Sequence, residues 1–64
     1  MLELKLANSR IELKEDIEKL YATLDTFEKE PTKDNRSQLH LSISKVRQDM
    51  TAIKHYVDGL YLKM

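Results

Sequence analysis

Leu39, Ile43, Val46, Met50, Ile53, Val57, Leu60 and Met64 alternate at spacings of four and three without a skipped step. That alternation holds side chains on one narrow stripe of an α-helix, the seam of a coiled coil or helical hairpin. A strand would need period two, and nothing between residues 39 and 64 sustains it. The C-terminal half therefore reads as one long helix shaped to lie against another.

A mate for it precedes it in the chain. Leu13, Ile17, Leu20, Leu24 and Phe27 repeat the four-three spacing, and stepping back by sevens from Leu13 reaches Leu6, with Leu2 four before it. Only Ser9 and Arg10 interrupt the stripe. Glu15 with Lys19 and Asp25 with Lys29 are acidic-then-basic pairs one helical turn apart, each worth a few tenths of a kcal/mol. Ser9-Arg10-Ile11-Glu12 matches a capping box, which would leave residues 2–7 as an extended arm. Length favours the other reading. A second helix over roughly 33–60 spans about 40 Å, and an antiparallel mate must start near residue 3 to cover Val57 and Leu60. Ser9 is then expected at the surface.

Between the stripes lies Glu30-Pro31-Thr32-Lys33-Asp34-Asn35. Pro31 disfavours helix at Glu30 and lacks an amide to continue the ladder, so the first helix should stop near Lys29. Thr32, Asp34 and Asn35 can each cap the next helix. So short a connection returns the chain antiparallel. Gly59 stands where a C-cap is expected, with Leu62 and Met64 either a frayed tail or a stretch that continues the helix only when something binds. The expected fold is all-α, an antiparallel two-helix hairpin of coiled-coil type, one domain over residues 1–64 with helices near 3–29 and 33–60.

Sixty-four residues without cysteine provide a thin core and neither a disulfide nor a thiolate metal site. Stability must then come from well-matched packing, self-association or a partner. Eleven basic and eleven acidic residues cancel, against the basic excess of a dedicated nucleic-acid binder. The charge is nonetheless divided. Residues 1–30 hold eight acidic and five basic groups (−3), and residues 31–64 hold three and six (+3). No apolar run approaches the roughly 20 residues of a membrane span, and the charged start Met1-Leu2-Glu3-Leu4-Lys5-Leu6 is no secretory signal. A cytoplasmic protein is expected.

Chemistry has little to stand on. His40 and His55 lie about 22 Å apart along one helix, too far to share a metal or act as a catalytic pair. Glu12, Glu15, Asp16 and Glu18 read as a solvated acidic face. No serine-histidine-acid set, glycine-rich loop or P-loop is present, and a hairpin lacks a water-excluding pocket. No enzyme, cofactor or metal is expected. Lys33, Arg36, Lys45, Arg47, Lys54 and Lys63 are interleaved with Asp34, Asp49 and Asp58 and read as a solvated face. Apolar residues off the stripe say more. Leu4 and Ile11 on the first helix, with Leu41, Ala52 and Tyr56 on the second, have no role inside a free hairpin. With Leu60 they form the expected partner-binding set.

The segment Ala52-Ile53-Lys54-His55-Tyr56-Val57-Asp58-Gly59-Leu60 resembles the C-terminal helix end of the YscE/PscE-like co-chaperones of type III secretion needle subunits. Members of that family are of about this length, cysteine-poor, and antiparallel helical hairpins. The resemblance implies a co-chaperone that stabilises a larger helical-repeat chaperone, the two together keeping a needle subunit soluble in the cytoplasm. The alternative is a self-associating hairpin, a four-helix dimer acting as an RNA-binding or phage or plasmid regulatory protein.

Overall fold

The computed structural model describes the backbone of residues 2–63 and the side chains of residues 4–63. Two helices, α1 (Leu2–Lys29) and α2 (Lys33–Lys63), make an all-α hairpin with no strand among the described residues. The rod measures 49 × 14 × 12 Å between Cα atoms. The early start of α1 is borne out, and residues 2–7 are helical rather than an extended arm.

The turn forms for the reasons its residues carry. The Glu30 amide donates to the Thr26 carbonyl at 3.0 Å, a last bond of the α1 ladder before Pro31 ends it. Thr32 is the residue that caps α2. Its Oγ1 accepts from the Asn35 amide at 3.1 Å, while the Arg36 amide donates to its carbonyl at 3.0 Å. Asn35 returns the favour across the turn, donating from Nδ2 to the Glu30 carbonyl at 2.9 Å. Asp34 in the first turn of α2 and a lysine in the last turn of each helix complement the helix dipoles.

The far end differs from expectation. α2 runs on past residue 60 to Lys63, and no glycine has positive φ, so Gly59 is an ordinary helical residue and not a C-cap. Nothing requires the helix to end there, because residues 60–63 carry neither proline nor a competing cap. Leu62 is helical instead of frayed; Met64 lies outside the described residues. Of the two expected helical ion pairs, Asp25–Lys29 forms at 3.1 Å between exposed side chains, whereas Glu15 and Lys19 are not paired.

A correction concerns the phase of the seam. Two columns of residues seven apart, Leu6, Leu13, Leu20, Phe27 on α1 and Leu39, Val46, Ile53, Leu60 on α2, are buried or half-buried as expected. Their companions in the seam are not the apolar residues four positions on. They are the residues three positions on: Ser9, Asp16 and Thr23 on α1, and Ser42, Asp49 and Tyr56 on α2, all buried or half-buried. Ser9 is thus a seam residue and not a surface one. Ile43, Met50 and Val57 stand outside the seam, 38%, 58% and 47% exposed. Leu24 is exposed and Ile17 half-buried. Both phases have the same four-three pitch, and the one adopted turns each helix by about 50° relative to the apolar maximum.

Candidate interaction surface

The shifted phase gives the hairpin two unlike sides. On one side of the seam the Asp16 and Asp49 carboxylates, the only buried charged groups among the described residues, face each other from the two helices. Lys45 bridges them, its Nζ 3.1 Å from Asp49 Oδ1 and 3.5 Å from Asp16 Oδ2. Asp49 Oδ2 is buried without a hydrogen-bond partner. The two carboxylates shift each other in opposite directions. The hydrogen bond from Asp49, with Lys45 nearby and against some desolvation, holds Asp16 below the usual carboxylate range. Burial, reinforced by the bond to Asp16, pushes Asp49 up. Lys45 is held above its ordinary value by its bond to Asp49. Lys19, Gln38, Leu41 and Ser42 complete this polar side. Seam hydroxyls are satisfied locally where they can be, as Thr23 Oγ1 donates to the Leu20 carbonyl at 3.0 Å.

The other side is an open apolar groove. Ile17, Leu20, Tyr21 and Leu24 of α1 face Leu39, Ile43 and Val46 of α2 across it. Toward the far end the groove continues with Leu13 and Ile17 beside Arg10, Lys14, Glu18 and Tyr21. Ile43, Met50 and Val57 fall on one strip of α2 at intervals of seven residues. The seam beneath this strip leaves Val46 as the only buried hydrophobic residue and no fully buried large side chain among the described residues.

Surface area makes the same point in magnitude. The chain exposes 5457 Å², whereas a folded monomer of 7.6 kDa exposes about 4,300 Å². The surplus, about 1,200 Å², exceeds the roughly 800 Å² per partner of a standard interface.

The expected partner-binding residues do not form one patch. Leu4 and Ile11 are exposed at 62% and 58% on the outer surface of α1. Ile11 adjoins the groove rim beside Ala7, Arg10 and Lys14. Leu41, 64% exposed, is on the polar side with Lys45. Tyr56 and Leu60 are half-buried in the seam, with half-buried Ala52 at its edge. The residues that sequence reasoning missed are Ile43, Met50, Val57, Ile17 and Leu24, which it assigned to the seam. The signal was present: an apolar arc too wide for one seam, with serine, threonine and aspartate along its edge.

No other site competes. Both histidines are exposed, and no group of three or more His, Asp or Glu is placed to hold a metal ion among the described residues. No helix among these residues is long and apolar enough to cross a membrane. The chain matches no family model, no curated protein and no solved structure.

Proposed function

We propose that the chain is a non-enzymatic helix-binding module whose open groove docks on a helical partner. The observation that carries this reading is the exposure of Leu24, Ile43, Met50 and Val57 along one side of a hairpin whose seam contains Ser9, Asp16, Thr23, Ser42 and Asp49. Apolar area is worth about 25 cal/mol per Å² when removed from water. A chain that spends polar residues on its own seam and leaves aliphatic ones wet is completed by an added helix.

Within that class the co-chaperone role is the reading supported by the hairpin architecture and by the resemblance over residues 52–60. The partner is then a larger helical-repeat chaperone, and through it a secretion needle subunit, in the cytoplasm. The test is co-expression with the needle subunit and helical-repeat chaperone of the genome that encodes the chain. Co-elution of all three is expected, together with loss of the chain from the complex on Met50→Asp while its helicity is retained. A chain that elutes alone, or a Met50→Asp variant that remains bound, refutes the assignment.

Self-association into a four-helix dimer is the second reading, favoured by the surplus area alone. The charge around the groove opposes it.

A further inference from the structure

We infer that the occupant of the groove is an amphipathic helix with an apolar stripe flanked by carboxylates, an inference that rests on the docking reading above and adds the partner's chemistry. The groove is bordered by the residues one and four positions after each leucine-column residue, and after Thr32 at the same phase one heptad before Leu39, and the charged residues at those positions are mostly cations. On α1 they include Arg10 and Lys14; on α2 they are Lys33, Arg36, Arg47 and Lys54. All six are exposed, and none is engaged by an ion pair. Glu28, beyond Leu24 at the turn end, is the one carboxylate at these positions among the described residues, and Glu18 lines the groove with Arg10, Lys14 and Tyr21. The whole chain has as many acidic as basic residues, so a border of six cations to two carboxylates, Glu28 and Glu18, among the described residues is a segregation and not a consequence of composition.

The distribution selects among occupants. A second copy would meet this face with the same face, as twofold pairing requires, and would bring twelve rim cations together over an apolar strip. Nucleic acid would satisfy the cations but leave the aliphatic floor of Ile17, Leu24, Ile43, Met50 and Val57 without an apolar partner. An acidic-flanked amphipathic helix satisfies both parts. Its stripe covers the floor and its carboxylates meet cations on both helices. From Ile43 to Val57 the strip runs about 21 Å, which asks for a partner helix of at least four turns.

The probe is a synthetic amphipathic peptide of about 20 residues with a leucine stripe and glutamate flanks, set against the same peptide with lysine flanks and against a single-stranded RNA oligonucleotide. Fluorescence anisotropy is read with the full chain at low salt and again at about 0.3 M, where screening shortens the reach of the rim charges. The glutamate peptide should bind about tenfold or more tighter than the lysine peptide, and the gap should narrow with salt. The triple variant Arg36→Glu, Arg47→Glu, Lys54→Glu should invert the preference, and Lys5→Glu, away from the rim, should not change it. Circular dichroism confirms that the exposed substitutions leave the helices intact. Equal affinities, a preference for lysine, failure of both peptides to bind, tighter binding of RNA, or a dimer abolished by Met50→Asp would each overturn the inference. The outcomes separate from those of the functional reading. If Met50→Asp breaks the chaperone complex but rim reversal does not, the groove stands and its charge chemistry falls. If the peptide preference holds while co-elution fails, the co-chaperone role falls alone.

Discussion

Asp49→Asn should stabilise the free hairpin at neutral pH by about 1 kcal/mol, the balance of two opposed effects at one buried position. Asp49 Oδ2 is buried and unpartnered opposite another carboxylate, and a buried polar group left unsatisfied costs about 1–3 kcal/mol. An asparagine amide at that point can donate to Asp16, which a second carboxylate cannot. Against this, the substitution weakens the Lys45 contact at 3.1 Å. Lys45 is 53% exposed, however, and a half-solvated pair is worth about 0–1 kcal/mol. The lysine also keeps Asp16 and can still bond the asparagine carbonyl. The unsatisfied oxygen therefore outweighs the lost ion pair. For a domain of this size about 1 kcal/mol appears as a melting shift of about 4–8 °C.

The sign of the pH dependence supplies a second check on the same variant. Asp49 is raised in the fold above its ordinary 3.8, so its contribution is fully present below that value and is lost as pH rises through the folded-state value. Asp16 is lowered, so its contribution is present above 3.8 and is lost only as pH falls through its depressed value. The wild-type pair is best satisfied between the two, and the advantage of Asp49→Asn should be largest near pH 7 and close toward about pH 4. Melting both proteins by far-UV circular dichroism across that range tests it, since surface carboxylates common to both cancel in the difference. A variant that melts below wild type at neutral pH, or a gap indifferent to pH, would refute this account of the buried carboxylate pair.

Other substitutions probe the remaining features. Ile53→Ala, in the seam, should cost about 2 kcal/mol, while Met50→Ala, 58% exposed, should cost under about 0.5 kcal/mol in the free chain; equal losses in thermal melts would restore the phase expected from hydrophobicity. Thr32→Ala removes the cap oxygen of α2 and should lower stability by about 1 kcal/mol, measured by urea titration. Gly59→Ala should raise stability by about 0.5–1 kcal/mol, because Gly59 is helical with no positive φ. A loss instead would mean that the groove-opposed side needs the glycine for close approach.

Hydrophobic spacing made the hairpin legible but not the seam's phase, and the reason is geometric. The leucine columns at residues 6, 13, 20 and 27 and at 39, 46, 53 and 60 belong to two overlapping four-three stripes. One is completed by Ile17, Leu24, Ile43, Met50 and Val57, the other by Ser9, Asp16, Thr23, Ser42, Asp49 and Tyr56. Period analysis scores the apolar stripe higher because it treats each helix as having one neighbour. The hairpin closes on the other stripe, where serines and threonine are small and Asp16 and Asp49 reach Lys45. Pro31 and Thr32 could be read directly because a turn is local chemistry. Phase could not, because it depends on which charges meet across the seam. Leu4, Ile11 and Leu41 were recognisable as surplus apolar residues, yet their distribution over different surfaces follows only once the phase is known. The same holds for the basic rim. In sequence Lys33, Arg36, Arg47 and Lys54 alternate with carboxylates and read as a solvated face; wound on the helices as they pack, they border one apolar strip together with Arg10 and Lys14. A neutral chain can therefore present a mostly basic binding face, and net charge by itself does not identify the partner.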